Sequence, residues 1–450
     1  MLTSKGYAVA LSTLSGTALH NLKESLTVTP ESNSDYGVCA SYKVYAMSKN
    51  YIYIPRNFNG PCLGDYNGGV SFQGEFVGQL KTETNQVEAV DAVLSGLRVK
   101  RSGILSLPTG YGKTTVALYI LTKVKQKTLI VVHKEFLLTQ WVERIQQFIP
   151  SARIGRLQAN IVDVDDKDIV IGMLQSLSKK DYDKSILKDF GFTIIDETHH
   201  VCTRTFSKLF TKINTKYVLG LSATLERKDG LTKVLHWFLG DVLYKVERSR
   251  QSHVYVNRVN YKCDAYGSFP LNRMKKPSIP EAISKIVGQT GRNELIVDML
   301  RTNLRSNRRI LVLTDRRQHC GDLMAMCKTS IEDRTFGLYI GGMKAEQLKE
   351  SEGCDAIFAT YSLAHEGLDI PVLDTLIMAS PKSDIVQSVG RILRETIGKK
   401  NNPYIIDIVD MWGPFQYQFF KRSKYYKSAG FHVIHPAADS EETIEFHHED

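Results

Sequence analysis

GILSLPTGYGKTTVALYILTKVKQK, residues 103–127, is the stretch on which the reading of the fold turns. The apolar run 104–107 reads as a buried strand, and Pro108-Thr109-Gly110-Tyr111-Gly112 breaks it. Lys113-Thr114-Thr115 then opens a helix with an apolar face at Val116, Ile120 and Val124. Strand, glycine turn and a helix beginning on Lys-Thr form the phosphate cradle of a P-loop. Backbone N–H groups and the helix N-terminus face an anion there, and the lysine adds a full positive charge. The strict pattern has a glycine five residues before Gly112, where this chain has Leu107. A tight strand-to-helix turn with a surface lysine gives a similar pattern, so this stretch alone leaves both readings open.

Working outward, continuous apolar runs recur at 128–132, 169–173, 192–195 and 217–221, separated by helical stretches such as the one holding Leu137, Trp141 and Ile145. Runs that are continuous rather than alternating predict a parallel sheet covered on both faces. The same rhythm resumes after Arg292, at 310–313, 336–340, 356–359, 375–378 and 404–408, and predicts a second α/β domain of similar size. Between them, 254–261 alternates like an exposed strand, and Pro270, Pro277 and Pro280 mark a linker. Residues 1–80 are rich in Gly and Tyr, with alternation around Tyr42–Lys43 and Tyr51–Ile54 and turn signals at Asn59-Gly60-Pro61 and Asn67-Gly68-Gly69. They predict a small β-containing accessory domain, in which Lys43, Lys49 and Arg56 among tyrosines could grip a nucleic-acid backbone, although core packing explains most of the rings. The expected divisions are 1–80, an accessory, DNA-binding domain; 81–250, a nucleotide-binding domain; 251–290, a linker; 291–435, a second α/β domain; and 436–450, an acidic tail.

Composition narrows the class. The chain has 450 residues, enough for two or three cores, and a net charge of +10. Residues 81–290 hold 33 basic against 20 acidic side chains, so the excess sits with the P-loop, as suits a polyanion or merely a soluble basic surface. No apolar run is long enough to cross a bilayer and the first residues are too weakly apolar for a secretory signal, so a cytoplasmic location is expected (the host cytoplasm for a phage-encoded chain). Seven cysteines fall singly with no C-x-x-C pair, which argues for reduced thiols and against a disulfide framework or a zinc or iron–sulfur site.

A P-loop calls for an acid on a neighbouring strand to hold its magnesium. Residues 192–197, Phe-Thr-Ile-Ile-Asp-Glu, supply an apolar strand ending in two carboxylates. Asp196 can hold Mg²⁺ together with the Thr114 hydroxyl, and Glu197 can orient and deprotonate an attacking water. A solvated strand end is the plainer reading of such a pair. His199 and His200 follow, but adjacent side chains rarely face one ion and further ligands are lacking nearby. Asp196-Glu197-Thr198-His199 instead resembles the DExH box of superfamily 2 helicases.

Other motifs of that family occur in order. Ser222-Ala223-Thr224 is similar to the motif that couples the nucleotide site to nucleic acid, a role the resemblance extends to His199 and Gln387. Residues 360–371, TYSLAHEGLDIP, resemble the motif with a backbone-contacting threonine, Thr360, and a Gly-x-Asp near the nucleotide, Gly367 and Asp369. Residues 387–394, QSVGRILR, resemble the arginine-finger motif, which implies that Arg394, with Arg391 beside it, reaches the γ-phosphate. A transition state that spreads charge over phosphoryl oxygens needs such cations, although arginines three apart on a helix also serve as surface ion-pair partners. The charged stretch 220–231, GLSATLERKDGL, resembles the XPB/UvsW-like branch, phage and viral members included.

The resemblance covers most of residues 80–430 and implies two tandem RecA-like parallel-sheet domains with the small N-terminal domain before them. It implies ATP and Mg²⁺ as cofactors, with Gln86 reading adenine and Thr109, Gly110, Tyr111, Gly112, Lys113, Thr114 and Thr115 around the phosphates. His133, Lys134, Ser176, Thr314, Arg316 and Thr360 become nucleic-acid contacts at the carboxyl ends of strands, where doubly wound sheets gather their sites. The implied activity is an ATP-dependent DNA helicase or translocase that unwinds or remodels branched or forked DNA in replication, recombination or repair. A DExH RNA helicase and a duplex-DNA translocase that separates no strands are the enzyme alternatives. A nucleic-acid-binding module with a dead ATP site would have lost some of Lys113, Asp196, Glu197, Arg391 and Arg394, and all five are present.

Overall fold

The three apolar runs at Thr128–Val132, Ile169–Met173 and Phe192–Ile195 are strands over the expected residues, and every residue in them is buried. In the computed structural model, the residues described are 2–3, 5–31, 40–60, 69–213, 215–223, 229–247, 253–368, 370–393, 399 and 401–434. Thr224, Asp369, Arg394 and the tail 436–450 lie outside them. The chain divides into two compact units, Met1–Glu247 and Arg248–Asp450.

The first unit is built on an eight-stranded sheet in the order Ile161–Asp163, Ile154–Gln158, Ile169–Met173, Thr128–Val132, Phe192–Ile195, Tyr217–Ser222, Ser102–Ser106 and Val242–Lys245. All neighbours are parallel except the first pair, a hairpin. A parallel sheet needs cover on both faces. One face carries the helices Gln86–Lys100, Lys113–Val124 and Glu135–Phe148, whose Val93, Leu97, Val116, Leu121, Trp141 and Ile145 pack on Ile130, Ile194 and Leu219.

The other face is covered partly by residues that were expected to form a separate domain. The antiparallel set Leu2–Thr3, Gly6–Ala10, Tyr51–Ile54 and Ala46–Met47 does form, with a helix Gly16–Ser25 capped by Ser15. Its Leu26, Ile52 and Ile54 nevertheless share one apolar cluster with Ile104 and Val218 of the sheet and with Phe210 and Phe238 of the helical segments 206–211 and 232–239. Arg56, 5% exposed, donates to the carbonyls of Thr215 and Lys216, and Asn57 bonds Ser102 and Phe238. The described residues 2–3, 5–31 and 40–60 therefore form a covering layer of the first unit. Arg56 is spent on that docking and is not available to grip a phosphate.

Among the described residues the second unit holds a seven-stranded sheet, all parallel, in the order Phe336–Tyr339, Ala356–Thr360, Ile310–Thr314, Thr375–Met378, Tyr404–Asp410, Tyr255–Tyr261 and His432–Ile434. The expected linker at 251–290 is thus corrected. Tyr255–Tyr261 pairs on both sides, and its alternation reflects polar residues that find cover: the Arg258 guanidinium sits 4.4 Å from the Phe419 ring centroid. The prolines mark a tight turn, bridged between Leu271 and Pro277, and the first turn of the helix Ile279–Val287. Asp407 and Asp410, an odd number of residues apart on one strand, face opposite layers. Each meets a buried arginine: Arg422 at 2.7 Å and Arg292 at 2.8 Å.

Candidate nucleotide and nucleic-acid site

The strand Ser102–Ser106 ends in the expected turn, and the helix begins at Lys113. Gly110 and Gly112 have φ of 92° and 80°, the left-handed region that disfavours a side chain. A Cβ at Gly112 would also lie 2.4 Å from Nε2 of Gln86. Leu107 is fully buried in the core while its carbonyl accepts from Lys113 Nζ at 3.3 Å. The position that lacks the strict pattern's glycine is therefore a core position, and the cradle is carried by Pro108 to Gly112.

Gln86 is buried at the start of its helix. Its Oε1 accepts from the Lys81 backbone N–H at 2.9 Å and its Nε2 donates to the Tyr111 carbonyl at 3.0 Å. One amide N–H and one Oε1 lone pair remain, and the two bonds fix Gln86 against the phosphate turn. Asn85, which precedes it, has φ of 56°, a conformation that asparagine tolerates. Thr109, Tyr111, Thr114 and Thr115 are all half-buried around the turn.

Asp196 and Glu197 follow the strand Phe192–Ile195. This strand is not the immediate neighbour of the P-loop strand, as had been expected: Tyr217–Ser222, the strand leading to Ser222-Ala223, lies between them. Ser222 is buried, and its carbonyl accepts from the Leu107 N–H at 3.2 Å. A Cβ at Gly220 on that strand would lie 2.6 Å from the Thr198 methyl, so glycine there lets the acidic box pack directly over it. One strand thus touches both the phosphate turn and the acidic box.

Asp196 Oδ2 accepts from the indole N–H of Trp141 at 2.9 Å, and Oδ1 from the Glu197 N–H at 3.0 Å. Burial and the Glu197 charge push the Asp196 carboxyl above its ordinary range, while Trp141 and Lys113 pull it back. Trp141 reads in the sequence only as an apolar helical position, and its N–H is the signal that a polar partner was needed. Glu197 sits at φ 46° and its Oε2 lies 3.4 Å from His199 Nδ1. Strain of this kind in a non-glycine residue gathers at functional sites. The His199 and His200 rings are 4.2 Å apart and the His133 and His200 rings 3.9 Å apart, both pairs tilted, so three imidazoles cluster beside the acidic box.

A divalent cation suits this donor set. Asp196 and Glu197 follow one another at a strand end, and Glu197 Oε2 is buried with no hydrogen bond among the described residues, His199 Nδ1 lying 3.4 Å away. Among the described residues no three His, Cys, Asp or Glu side chains form a metal cage. One carboxylate and the Thr114 hydroxyl fit an ion that takes its remaining ligands from phosphates and water, as magnesium does.

The nucleic-acid candidates divide by accessibility. Lys134, Ser176 and Arg316 are half-buried, and Arg316 is tied to the Pro280 carbonyl at 2.7 Å. His133, Thr314 and Thr360 are buried, and the Thr314 hydroxyl is held at 2.9 Å by His319 Nδ1. That hydroxyl belongs to an internal network running on to Asn293. In the second unit, Arg391 is buried on the helix Val386–Ile392 and donates to the Leu368 carbonyl at 2.7 Å, beside Gly367. Gln387 is half-buried on the same helix.

Comparison with known proteins gives a consistent set. The family described as "Type III restriction enzyme, res subunit" (ResIII) matches residues 79–227. "Putative ATP-dependent RNA helicase L396" of Acanthamoeba polyphaga mimivirus is 32% identical over 447 residues, covering 96% of this chain and 86% of its own length. Among solved structures, S. cerevisiae Dbp5 bound to RNA and ADP BeF3 is similar with a TM-score of 0.56 at 11% identity, over 78% of this chain and 88% of that one. The ATP-dependent Type ISP restriction-modification enzyme LlaBIII bound to DNA is similar with a TM-score of 0.54 at 17% identity, over 83% of this chain and 32% of that one.

Proposed function

Because this chain belongs to the superfamily 2 helicases, with viral members among its relatives, we propose that its two RecA-like units form an ATP-hydrolysing motor that acts on DNA, with branched or forked DNA as its substrate. The observation that carries the motor reading is the Tyr217–Ser222 strand, which touches the phosphate turn through Ser222 and the acidic box through Gly220.

In this reading Gly110 to Lys113 grip the phosphates of ATP and Gln86 reads its base. Thr114 and Asp196 would hold Mg²⁺, which neutralises developing phosphoryl charge when bound. Glu197 takes the proton of the attacking water, and Arg391 and Arg394 of the arginine-finger motif are the candidate cations for the phosphoryl charge. For DNA speak the restriction-enzyme family match over residues 79–227 and the charged stretch 220–231. RNA is the second reading, favoured by the name of the mimivirus relative.

ATPase stimulation compared across single-stranded, duplex and forked DNA and RNA tests the substrate. Stimulation by RNA alone would overturn the DNA reading. For the motor, Lys113→Ala should abolish nucleic-acid-stimulated hydrolysis, and Glu197→Gln should bind ATP without turning it over. Normal turnover in either variant would remove the assigned roles.

A further inference from the structure

The helix Phe415–Ala429, FQYQFFKRSKYYKSA, carries four basic residues and no carboxylate. Its inner face is settled: Phe415, Phe419, Arg422 and Tyr426 are buried, and Asp407 takes both the Arg422 guanidinium and the Tyr426 hydroxyl. The outer face is unusual. Tyr417 is 71% and Phe420 61% exposed, with ring centroids 6.4 Å apart. Exposed Lys421, Lys424 and Lys427 continue along the helix, and none has an ion-pair partner among the described residues. Positions 417, 420, 421 and 424 form one stripe at helical spacing.

Core packing does not account for this stripe, because the inner seam is complete without it. Two adjacent aromatic rings offer flat faces for stacking, and the lysines offer charge at about one turn's spacing. That pairing matches a single-stranded nucleic acid, whose bases stack on aromatics while its phosphates meet cations. The position agrees. The helix starts just after the strand Tyr404–Asp410, so Tyr417 sits near the carboxyl edge of the sheet on which Ile310–Thr314 and Ala356–Thr360 also end. A membrane surface fits less well, since the opposite face is locked in the core and one ring pair gives little apolar area to insert.

We propose that this outer face is an additional nucleic-acid site, with bases stacking on Tyr417 and Phe420 and the backbone running along Lys421, Lys424 and Lys427. The proposal rests on the nucleic-acid-dependent motor described above. It is tested in the full chain with Tyr417→Ala/Phe420→Ala and Lys421→Gln/Lys424→Gln/Lys427→Gln. Binding of short labelled DNA and RNA single strands is followed by fluorescence anisotropy across a salt series, beside basal ATPase without nucleic acid. The aromatic variant should bind about tenfold or more weakly, with basal ATPase unchanged. The lysine variant should flatten the dependence of log Kd on log salt by about 2. If wild type binds and is stimulated while both variants match it in affinity and slope, the outer face is not a site and the motor stands. A wild type that binds no nucleic acid overturns both. Loss of binding to anionic phospholipid vesicles, with strand binding intact, overturns the site in favour of a membrane contact.

Discussion

Replacing Trp141 by Phe removes one hydrogen bond and little else. The ring is 2% exposed on the helix Glu135–Phe148, and phenylalanine keeps most of its apolar contacts with the sheet. What disappears is the indole N–H, which at 2.9 Å serves Asp196 Oδ2. The other carboxylate oxygen keeps its bond from the Glu197 backbone. A hydrogen bond to a charged group stabilises by about 1.5–3 kcal/mol, so the ionised form of Asp196 should lose roughly 10- to 150-fold against the protonated form. The sign follows from the surroundings. Burial and Glu197 already favour the proton, Trp141 and Lys113 oppose it, and only the ionised carboxylate can hold a cation. The proton then competes better with Mg²⁺. A titration of ATPase against Mg²⁺ at a series of pH values should show half-saturation raised increasingly toward acid pH, by at most about the same 10- to 150-fold, with turnover at saturating Mg²⁺ changed far less. Thermal unfolding read in parallel should move only by the cost of the smaller ring, about 1–2 kcal/mol. Mg²⁺ curves that superimpose on wild type would refute the reasoning, because they would mean that the indole N–H does not govern the charge on Asp196.

Three further outcomes follow from buried groups. His319 is buried between Thr314 and Asn293, and burial together with the nearby Arg292 charge lowers its pKa from 6.5 to about 3. The unfolded chain takes up a proton near pH 6.5 that the folded chain refuses until about pH 3, so stability should fall as pH drops through that window, by at most about 1.4 kcal/mol per unit. His319→Gln should flatten that fall in urea unfolding followed at a series of pH values, and an unchanged slope would contradict it. Asp410→Asn leaves the Arg292 guanidinium buried without its full countercharge and should destabilise the second unit by about 3–5 kcal/mol, seen as lost amide protection confined to residues 253–434. Deleting residues 1–60 uncovers Phe210, Val218 and Phe238 and should lower the unfolding temperature of the first unit; an unshifted transition would restore these residues as an independent domain.

The parallel sheets were legible because burial on both faces leaves a one-dimensional mark, the continuous apolar run. Ile169–Met173 and Thr375–Met378 are readable for that reason. Strands without the mark escaped. Ile161–Asp163 is exposed throughout, and Val242–Lys245 pairs only on one side at the sheet edge. Tyr255–Tyr261 was seen as a strand but misplaced, because Asn257, Arg258 and Asn260 read as solvent-facing. What covers them comes from far along the chain: Phe419 lies over Arg258 and the strand His432–Ile434 pairs alongside. The covering role of Leu26, Ile52, Ile54 and Arg56 was illegible for the same reason. Arg56 meets its carbonyl partners about 160 residues away, and no local pattern distinguishes an arginine that docks from one that faces a phosphate.

At the site, the legible residues are those whose chemistry requires neighbours in sequence. A phosphate cradle needs consecutive backbone N–H groups, so Gly110, Gly112 and Lys113 stand together, and a strand end needs its acid at the next position, so Asp196 follows Ile195. Trp141 obeys no such requirement. It reaches Asp196 from a helix 55 residues earlier, and its spacing with Leu137 and Ile145 is fully explained by the core. Its N–H is the one atom that apolar packing leaves unexplained. A buried indole requires an acceptor, and the first unit places a carboxylate that burial would otherwise neutralise within its reach. The two groups meet each other's need, so the donor that completes the acidic box is specified by the fold.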